Sequence, residues 1–218
     1  MNDLEQRFAG LSPEKRALLQ QTAARGRSAR ARIGREPRPE RIPLTAGQRR
    51  LWWLDRFAPG LLAYNMAKGL WLEGPLDRAA LRAAVQSVVD RHEVLRTVYR
   101  SDAGLAWQHV LSACDLPWHE ADAGGADPAG RRATALRLAR EAVAMPFAID
   151  REPPIRAHLF RLDPDCHLLV LAFHHIAIDG WSLTTLVDEI AGRYARLCAG
   201  DASPLPEPEL QIADVALW

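Results

Sequence analysis

The chain has 218 residues, a formal net charge of +1, 48% hydrophobic residues and 25% charged residues. Such a composition predicts a globular protein with a substantial core, and it excludes the one-sided charge typical of bulk nucleic-acid or membrane-surface binding. Three separated cysteines lack zinc-ligand or redox-pair spacing, which favours reduced thiols. The start of the chain has no apolar leader, and its longest apolar run, Leu168 to Phe173, is too short to cross a bilayer, so we expect a cytoplasmic protein.

Residues 1–42 are predicted to be a short helix, opened by Ser12 and Pro13, followed by an arginine-rich linker. Seven arginines lie between residues 25 and 41, and no aromatic side chain is interleaved with them for base stacking. A solvated linker is therefore favoured over a nucleic-acid-binding arm. The folded domain is predicted to span residues 43–218.

Helices and strands alternate irregularly from Pro43 onward. Helices are predicted after the N-caps Thr45, Asp77 and Ser182, over 131–145, and from Gln211. Strands are predicted over 67–73, 97–100, 106–110, 155–162 and 167–174. The last two strands are joined by a short turn, which indicates an antiparallel hairpin, and 167–174 is apolar enough to be buried on both faces. The pattern predicts an α/β or α+β protein with a mixed sheet.

Two groups of side chains are predicted to hold the helices in the core. Trp52 and Trp53 are expected to anchor the first helix. The apolar face of the helix after Asp77 follows the i, i+3, i+4 spacing of a core-facing helix and is predicted to include Leu81, Ala84, Val85, Val88, Val89, His92 and Leu95.

The strongest functional pattern is HHIAIDGWS, residues 174–182, in which two histidines leave a buried strand just before a helix. A histidine in such a place can accept a proton from an amine or hydroxyl group near neutral pH. Asp179 has the reach to hold the shape of the loop, and the positive end of the helix would keep its carboxylate ionised. Gly180 would let backbone or substrate approach closely.

Other kinds of site are disfavoured. Adjacent residues on a strand point to opposite faces, so His174 and His175 would not converge on one zinc ion, and no further ligand has suitable spacing. The sequence has no GxSxG elbow and no glycine-rich phosphate loop. From the residues alone, a structural strand-end pair of histidines remains the main alternative to a catalytic site.

Four stretches, in order, resemble the motifs of condensation domains of nonribosomal peptide synthetases. HHIAIDG matches the HHxxxDG signature, and the other three stretches are PLTAGQRRLWWL (43–54), RHEVLRT (91–97) and LQIADVALW (210–218). The positions that depart from the family pattern are Thr45, Gly47, Ile212 and Val215, which replace serine, alanine and two tyrosines. The resemblance covers residues 43–218.

The resemblance implies the N-terminal lobe of a chloramphenicol-acetyltransferase-like fold, a mixed-sheet sandwich, without the C-terminal lobe. It implies peptide-bond formation, in which a carrier-bound acceptor amine attacks a carrier-bound donor acyl or peptidyl thioester. The implied partners are donor and acceptor peptidyl carrier domains with phosphopantetheine arms, an adjacent adenylation domain and the C-terminal lobe, with no nucleic acid or membrane. No cofactor or metal is expected to be bound by this lobe itself.

The resemblance places His175 at the chemical centre, either as a general base or as a hydrogen-bond partner that orients the amine. It makes Asp179 structural, paired with Arg96 or, as second choice, Arg91. His174 and Gly180 complete the catalytic motif. Trp181 and Ser182 are expected to cap and pack the helix that follows. The other five histidines are assigned no catalytic role. His92 is predicted to be a buried structural residue, and no motif surrounds His109, His119, His158 or His167.

Two rival functions stay open. One is an acyl-CoA-dependent acyltransferase of the same HxxxD superfamily, which the flanking motifs disfavour. The other is a non-catalytic lobe that docks carrier proteins, which the intact HHxxxDG motif disfavours. Cyclisation chemistry is disfavoured because both histidines are present, whereas an epimerising role is not excluded. We expect the 218 residues alone to catalyse little, since the substrate tunnel needs both lobes.

Overall fold

The computed structural model describes residues 33–218, so the predicted helix at Ser12 and most of the arginine-rich linker lie outside the described residues. Arg35–Trp218 forms one compact unit. Its strands are β1 (Ile42–Pro43), β2 (Asn65–Glu73), β3 (Thr97–Asp102), β4 (Leu105–Val110), β5 (Trp118–Asp122), β6 (Ile155–Asp163) and β7 (Cys166–His174). Its helices are α1 (Ala46–Phe57), α2 (Arg78–Arg91), α3 (Pro128–Val143), α4 (Gly180–Cys198) and α5 (Ile212–Leu217), with 3₁₀ turns at Leu62–Tyr64 and Glu93–Arg96. Within this part of the chain, no helix is both long and apolar enough to traverse a membrane.

The strands form two sheets, with the orders β1-β4-β3 and β2-β7-β6-β5. In the four-stranded sheet β5 runs parallel to β6, and the other neighbours are antiparallel. The predictions of a mixed sheet and of a β6–β7 hairpin are therefore confirmed. Strand β7 is hydrogen-bonded on both sides and nearly all its residues are buried, as its continuous apolar sequence predicted. It delivers His174 to the end of the sheet.

Helices cover both faces of the four-stranded sheet. On one face, α2 and α4 pack Val88 and Ile190 against Leu171 of β7. On the opposite face, α3 packs Ala135 against Val170, the preceding residue of β7. The alternation of residues 170 and 171 follows from the two-residue repeat of a strand. Each fully buried side chain of this kind contributes about 1.5–3 kcal/mol to stability, so the two layers fix α4 against the sheet.

Some boundaries differ from the predictions. Strand β5 was missed because it is an edge strand, and four of its five residues are exposed and give no alternating apolar signal. Helix α3 begins at Pro128, with Asp127 as its N-cap, inside a segment predicted as loop. Helix α2 ends at Arg91, and His92 is its C-cap with an extended backbone, so His92 and Leu95 do not continue the helix as predicted.

Arg38 was predicted to lie in a solvated linker, and for this residue the prediction is wrong. Its guanidinium donates to both carboxylate oxygens of Asp214 and, through Nε, to Glu93. Asp214 is fully buried and also accepts the backbone N–H groups of Glu36 and Gln211 at 2.9 and 2.8 Å. The Arg38 guanidinium therefore holds the pKa of Asp214 well below its usual range. These contacts tie the segment before β1 to α5 and to the turn after α2.

Candidate active site

His175 lies directly after β7, in the turn that leads to α4. Its backbone N–H donates to the carbonyl of Tyr64 at 2.8 Å, which fixes the main chain. Its ring Nδ1 is 2.7 Å from the carbonyl oxygen of Ile178. Because a carbonyl only accepts, this contact requires the proton on Nδ1 and leaves the lone pair of the neutral ring on Nε2. The half-buried ring is thus oriented as a proton acceptor.

His174 has a different environment. It is 2% exposed, and its Nδ1 accepts the N–H of Ile176 at 3.1 Å. Its ring lies against Tyr64 and Phe147, with centroid distances of 6.3 and 6.2 Å. Burial, with a smaller contribution from neighbouring His175, lowers the pKa of His174 to about 4. Near neutral pH it is an uncharged packing residue beneath the loop.

We expect the His174 ring to stay neutral down to about pH 5 in the folded chain. Its folded pKa lies below the unfolded value of about 6.5, so the stability it contributes is present above pH 6.5 and is lost as the pH falls towards 4. Nuclear magnetic resonance titration of the histidine side chains measures this directly, with His174→Gln identifying the signal. A midpoint above pH 6 for that signal would contradict the buried, uncharged environment.

Asp179 is the N-cap of α4, and its Oδ1 accepts the backbone N–H of Ser182 at 2.7 Å. This hydrogen bond, with a further one from the Ser182 side chain, lowers the pKa of Asp179, as predicted from its place at the helix N-terminus. The prediction that Ser182 itself is the cap is wrong, because the helix starts at Gly180, three residues before the predicted start at Leu183. Ser182 is instead the donor to the cap.

Replacing Asp179 with alanine is expected to lower the free energy of unfolding by about 1 kcal/mol, because the first turn of α4 loses its cap. Asp179→Asn is the matched control: asparagine caps about as well, so a loss below about 0.5 kcal/mol is expected. Urea unfolding at pH 7 measures both values. Equal losses in the two variants would mean that the charge of Asp179, rather than its capping hydrogen bond, is what matters.

The predicted pairing of Asp179 with Arg96 or Arg91 is wrong within the described residues. Arg96 donates to the backbone carbonyls of Asp90 and Leu111, which ties the turn after α2 to the end of β4. Arg91 lies 3.3 Å from a carboxylate oxygen of Glu189 on α4. Neither guanidinium contacts Asp179. Support of the site by Arg96 and Arg91 stays a prediction.

Three further predictions concern packing. Trp181 is 88% exposed, so the prediction that it packs the helix is wrong. Trp52 is partly buried in the core as predicted, whereas Trp53 is 57% exposed and stacks on Phe57 at a centroid distance of 5.3 Å. Gly180 has open space at its Cβ position, with no atom within 4 Å. Close approach at Gly180 by a substrate stays a prediction.

A cavity of about 500 Å³ lies between the start of α1, the loop after β7 and α4, and His175 forms part of its wall. This volume is in the range that holds a small organic group. The apolar part of the wall includes Leu51, Val94, Leu95, Ile176, Ile178 and Leu186. The polar part includes Thr45, Gln48, Asp179, Ser182, Thr185 and Glu189. The arrangement can hold a largely apolar group beside an imidazole that accepts protons. Among residues 33–218, no three histidine, cysteine or acidic side chains are grouped to bind a metal ion.

His92 is the cavity residue that the sequence misplaced. It is half-buried in the wall rather than in the core, and its Nε2 lies 2.7 Å from Oε2 of Glu189. The two residues are 97 positions apart, at the C-cap of α2 and on α4. No local periodicity could have indicated this contact, since it depends on how the two helices pack together.

Comparison with known proteins places these observations in one family. The family profile described as "Condensation domain" matches residues 39–218. The phosphinothricin tripeptide synthetase PhsC of Streptomyces viridochromogenes is 37% identical over all of this chain and 20% of its own length. The isonitrile lipopeptide synthase of Mycobacterium tuberculosis is 45% identical over 83% of this chain and 7% of its own length. The chain thus spans a fifth or less of these two relatives.

Solved structures show the same fold. The crystal structure of the X-domain from teicoplanin biosynthesis has a TM-score of 0.75 and 34% identity, covering 86% of this chain and 39% of that one. The first condensation domain of the CDA synthetase has a TM-score of 0.65 and 27% identity, covering 76% of this chain and 41% of that one. The predicted chloramphenicol-acetyltransferase-like lobe is confirmed. With the family profile matched over most of its length and the HHIAIDG loop ending the central strand, the chain belongs to the condensation-domain family.

Proposed function

We propose that this chain is the N-terminal lobe of a domain that forms peptide bonds in nonribosomal peptide synthesis. The observation that carries the proposal is the His175 ring, fixed by a hydrogen bond from Nδ1 to the carbonyl of Ile178, in the wall of a cavity of about 500 Å³. Nucleophilic attack by an amine needs a nearby group that can take its proton, and this ring has the required tautomer. The match of the family profile supports the assignment.

The chemistry follows from that tautomer. The acceptor amine attacks the carbonyl carbon of the donor thioester, so that a C–N bond forms and the C–S bond breaks. Nε2 of His175 accepts the proton that the nitrogen loses and can return it to the departing thiolate. Holding two tethered reactants in line lowers the activation free energy by roughly 7 to 11 kcal/mol in favourable cases. A positioned base raises the rate by about 10²- to 10⁴-fold. Orientation of the amine by the ring is thus as valuable as its basicity.

The other motif residues support the loop in this proposal. His174 packs beneath His175, and the Asp179 cap fixes the start of α4, so the position of the ring is defined from both sides. The folded lobe, predicted to start at residue 43, is assigned to Arg35–Trp218, which forms one compact unit. The chain spans about two-fifths of the solved condensation domains, so the opposite wall of the tunnel is assigned to a C-terminal lobe.

The proposed partners follow from the reaction. Donor and acceptor peptidyl carrier domains bring their substrates as phosphopantetheine thioesters, and an adenylation domain loads the acceptor. The polar and apolar sides of the cavity suit a chain that carries amide groups and an apolar side chain. The lobe itself supplies the base and the walls rather than a bound cofactor.

A second candidate is a lobe that recruits a partner protein without catalysis. It is favoured by the likeness to the X-domain from teicoplanin biosynthesis, which has been solved in a complex with OxyB, at a TM-score of 0.75 and 34% identity. The orientation of His175 counts against it, because a recruiting surface has no use for a fixed imidazole tautomer in a cavity.

The decisive experiment uses the complete condensation domain, which contains this lobe and a C-terminal lobe. Donor and acceptor carrier domains, each loaded with an aminoacyl thioester, are supplied as substrates. Mass spectrometry of the intact acceptor carrier should show the dipeptidyl thioester, and acyl-CoA in place of the donor carrier should give no product. Product from acyl-CoA and a free amine would favour the acyltransferase alternative. Absence of product, together with stable binding of a partner protein, would favour the recruiting lobe. The 218-residue chain alone is expected to form little peptide.

A further inference from the structure

Gly47 is a glycine that the fold does not require. It is the second residue of α1, and its backbone is helical rather than left-handed. Apart from its two chain neighbours and the nearby backbone of α1, a Cβ atom added at Gly47 would meet no atom within 4 Å. Neither a special turn nor a close neighbour therefore explains the missing side chain.

The start of α1 is otherwise built for stability. Thr45 and Gln48 form a reciprocal capping box, with each side chain bonded to the backbone of the other residue. A helical glycine is less stable than alanine because it loses more conformational freedom on folding. Gly47 thus works against the helix that its two neighbours stabilise.

The absence of a side chain at Gly47 leaves space in the cavity whose wall includes His175. Gly47 forms part of that cavity wall, together with Leu51 one turn further along α1. The apolar cluster of Leu44, Leu51 and Trp52 packs against Ile176, so this end of α1 sits against the loop that carries His175. Gly47 is itself exposed, so its open Cβ position lies at the outer part of the cavity whose wall His175 shares.

We propose that Gly47 is a specificity-determining position, which widens the wall so that a bulky apolar acyl or aminoacyl side chain fits beside His175. The inference rests on the proposed function and names the class of substrate for the same site. One methylene group in an apolar pocket changes the ratio of kcat/KM between two substrates by about 10- to 200-fold. A side chain added at residue 47 should therefore change this ratio strongly.

The test compares Gly47→Ala and Gly47→Leu in the complete condensation domain. Glycyl, alanyl, leucyl and phenylalanyl groups are supplied on the donor carrier and, in a second series, on the acceptor carrier. We expect Gly47→Leu to lower kcat/KM for leucyl and phenylalanyl groups at least about 10-fold in one series, and to change it less than about twofold for glycyl. The series that responds identifies which substrate uses this wall.

Gly192→Ala is the matched control. Gly192 is also a helical glycine with open space at its Cβ position, but it is exposed on α4 and is not part of the cavity wall. This variant should keep the wild-type size preference. The melting temperatures of Gly47→Ala and Gly192→Ala should both equal or exceed that of the wild type, since alanine favours the helix.

Equal losses for small and bulky groups, or no loss for either, would overturn the role of Gly47. If the wild type forms no peptide, the proposed function is wrong, but the role of Gly47 can still be tested. Calorimetry with non-hydrolysable acyl-pantetheine amides then measures the size preference of the cavity in binding alone. A wild-type preference for the bulky amides that Gly47→Leu abolishes would support the inference even then. Identical affinities across the series would refute it.

Discussion

Replacing His175 with alanine is expected to lower the rate of peptide formation by about 10²- to 10⁴-fold, measured in the complete domain with loaded carriers. The substitution removes the ring that the Ile178 carbonyl holds through Nδ1 and whose Nε2 is proposed to accept the proton. The fold should be retained, because the ring is half-buried and the backbone contact with Tyr64 is made by the main chain.

The control for this prediction is His119→Ala. His119 is exposed on the edge strand β5 and is not part of the cavity wall, so its loss should leave the rate within about twofold, an effect typical of surface changes. Unfolding by urea should confirm that both variants are folded. If His175→Ala keeps a third or more of the wild-type rate, the ring neither takes the proton nor orients the amine, and confinement of the tethered substrates accounts for the catalysis.

The second large effect is on stability: Asp214→Ala is expected to lower the free energy of unfolding by about 3 kcal/mol at pH 7. Asp214 is fully buried and accepts hydrogen bonds from Arg38 and from two backbone N–H groups. Its removal leaves the guanidinium with Glu93 and the backbone carbonyl of Glu36, and it leaves the buried N–H of Gln211 without its acceptor. Such a loss costs more than the intact pair contributes. Urea unfolding monitored by tryptophan fluorescence gives the value.

The matched control is Arg35→Ala, which breaks the ion pair with Glu207, both of whose side chains are more than half exposed. A loss below about 0.5 kcal/mol is expected, as for exposed pairs in general. The low pKa of Asp214 adds a pH dependence: its stabilisation is present above the unfolded value of about 3.9 and is lost as the pH falls below it. Equal losses in Asp214→Ala and Arg35→Ala would contradict the structural role of this contact.

Local signals predicted most of the elements. A capping side chain acts over three residues and an apolar face over one or two turns, so Thr45 and Asp77 identified the starts of α1 and α2. The continuous apolar run identified β7 as a strand buried on both faces, and the motif identified the loop that carries His175. These features were predictable because each is decided by neighbouring residues.

Contacts between distant segments were not predictable in this way. Arg38 and Asp214 are 176 positions apart, and an arginine among other arginines gives no sign that it will be buried against a carboxylate. The supposed Asp179–Arg96 pair failed for the same reason, because the direction of Arg96 depends on where α2 ends. His92 faces the cavity because of how α2 packs on α4, which a helical pattern alone cannot specify.

The double pairing of β7 has a consequence for motion. All nine of its residues align with β2 and nearly all with β6, so the strand cannot separate locally without breaking two ladders of hydrogen bonds. Its amide protons should therefore exchange with solvent only through global unfolding, at the slowest rates in the chain. The loop of His175 is held by this strand at one end and by capped α4 at the other. The imidazole is then in place before any substrate arrives, and each turnover is spared the entropy of ordering it.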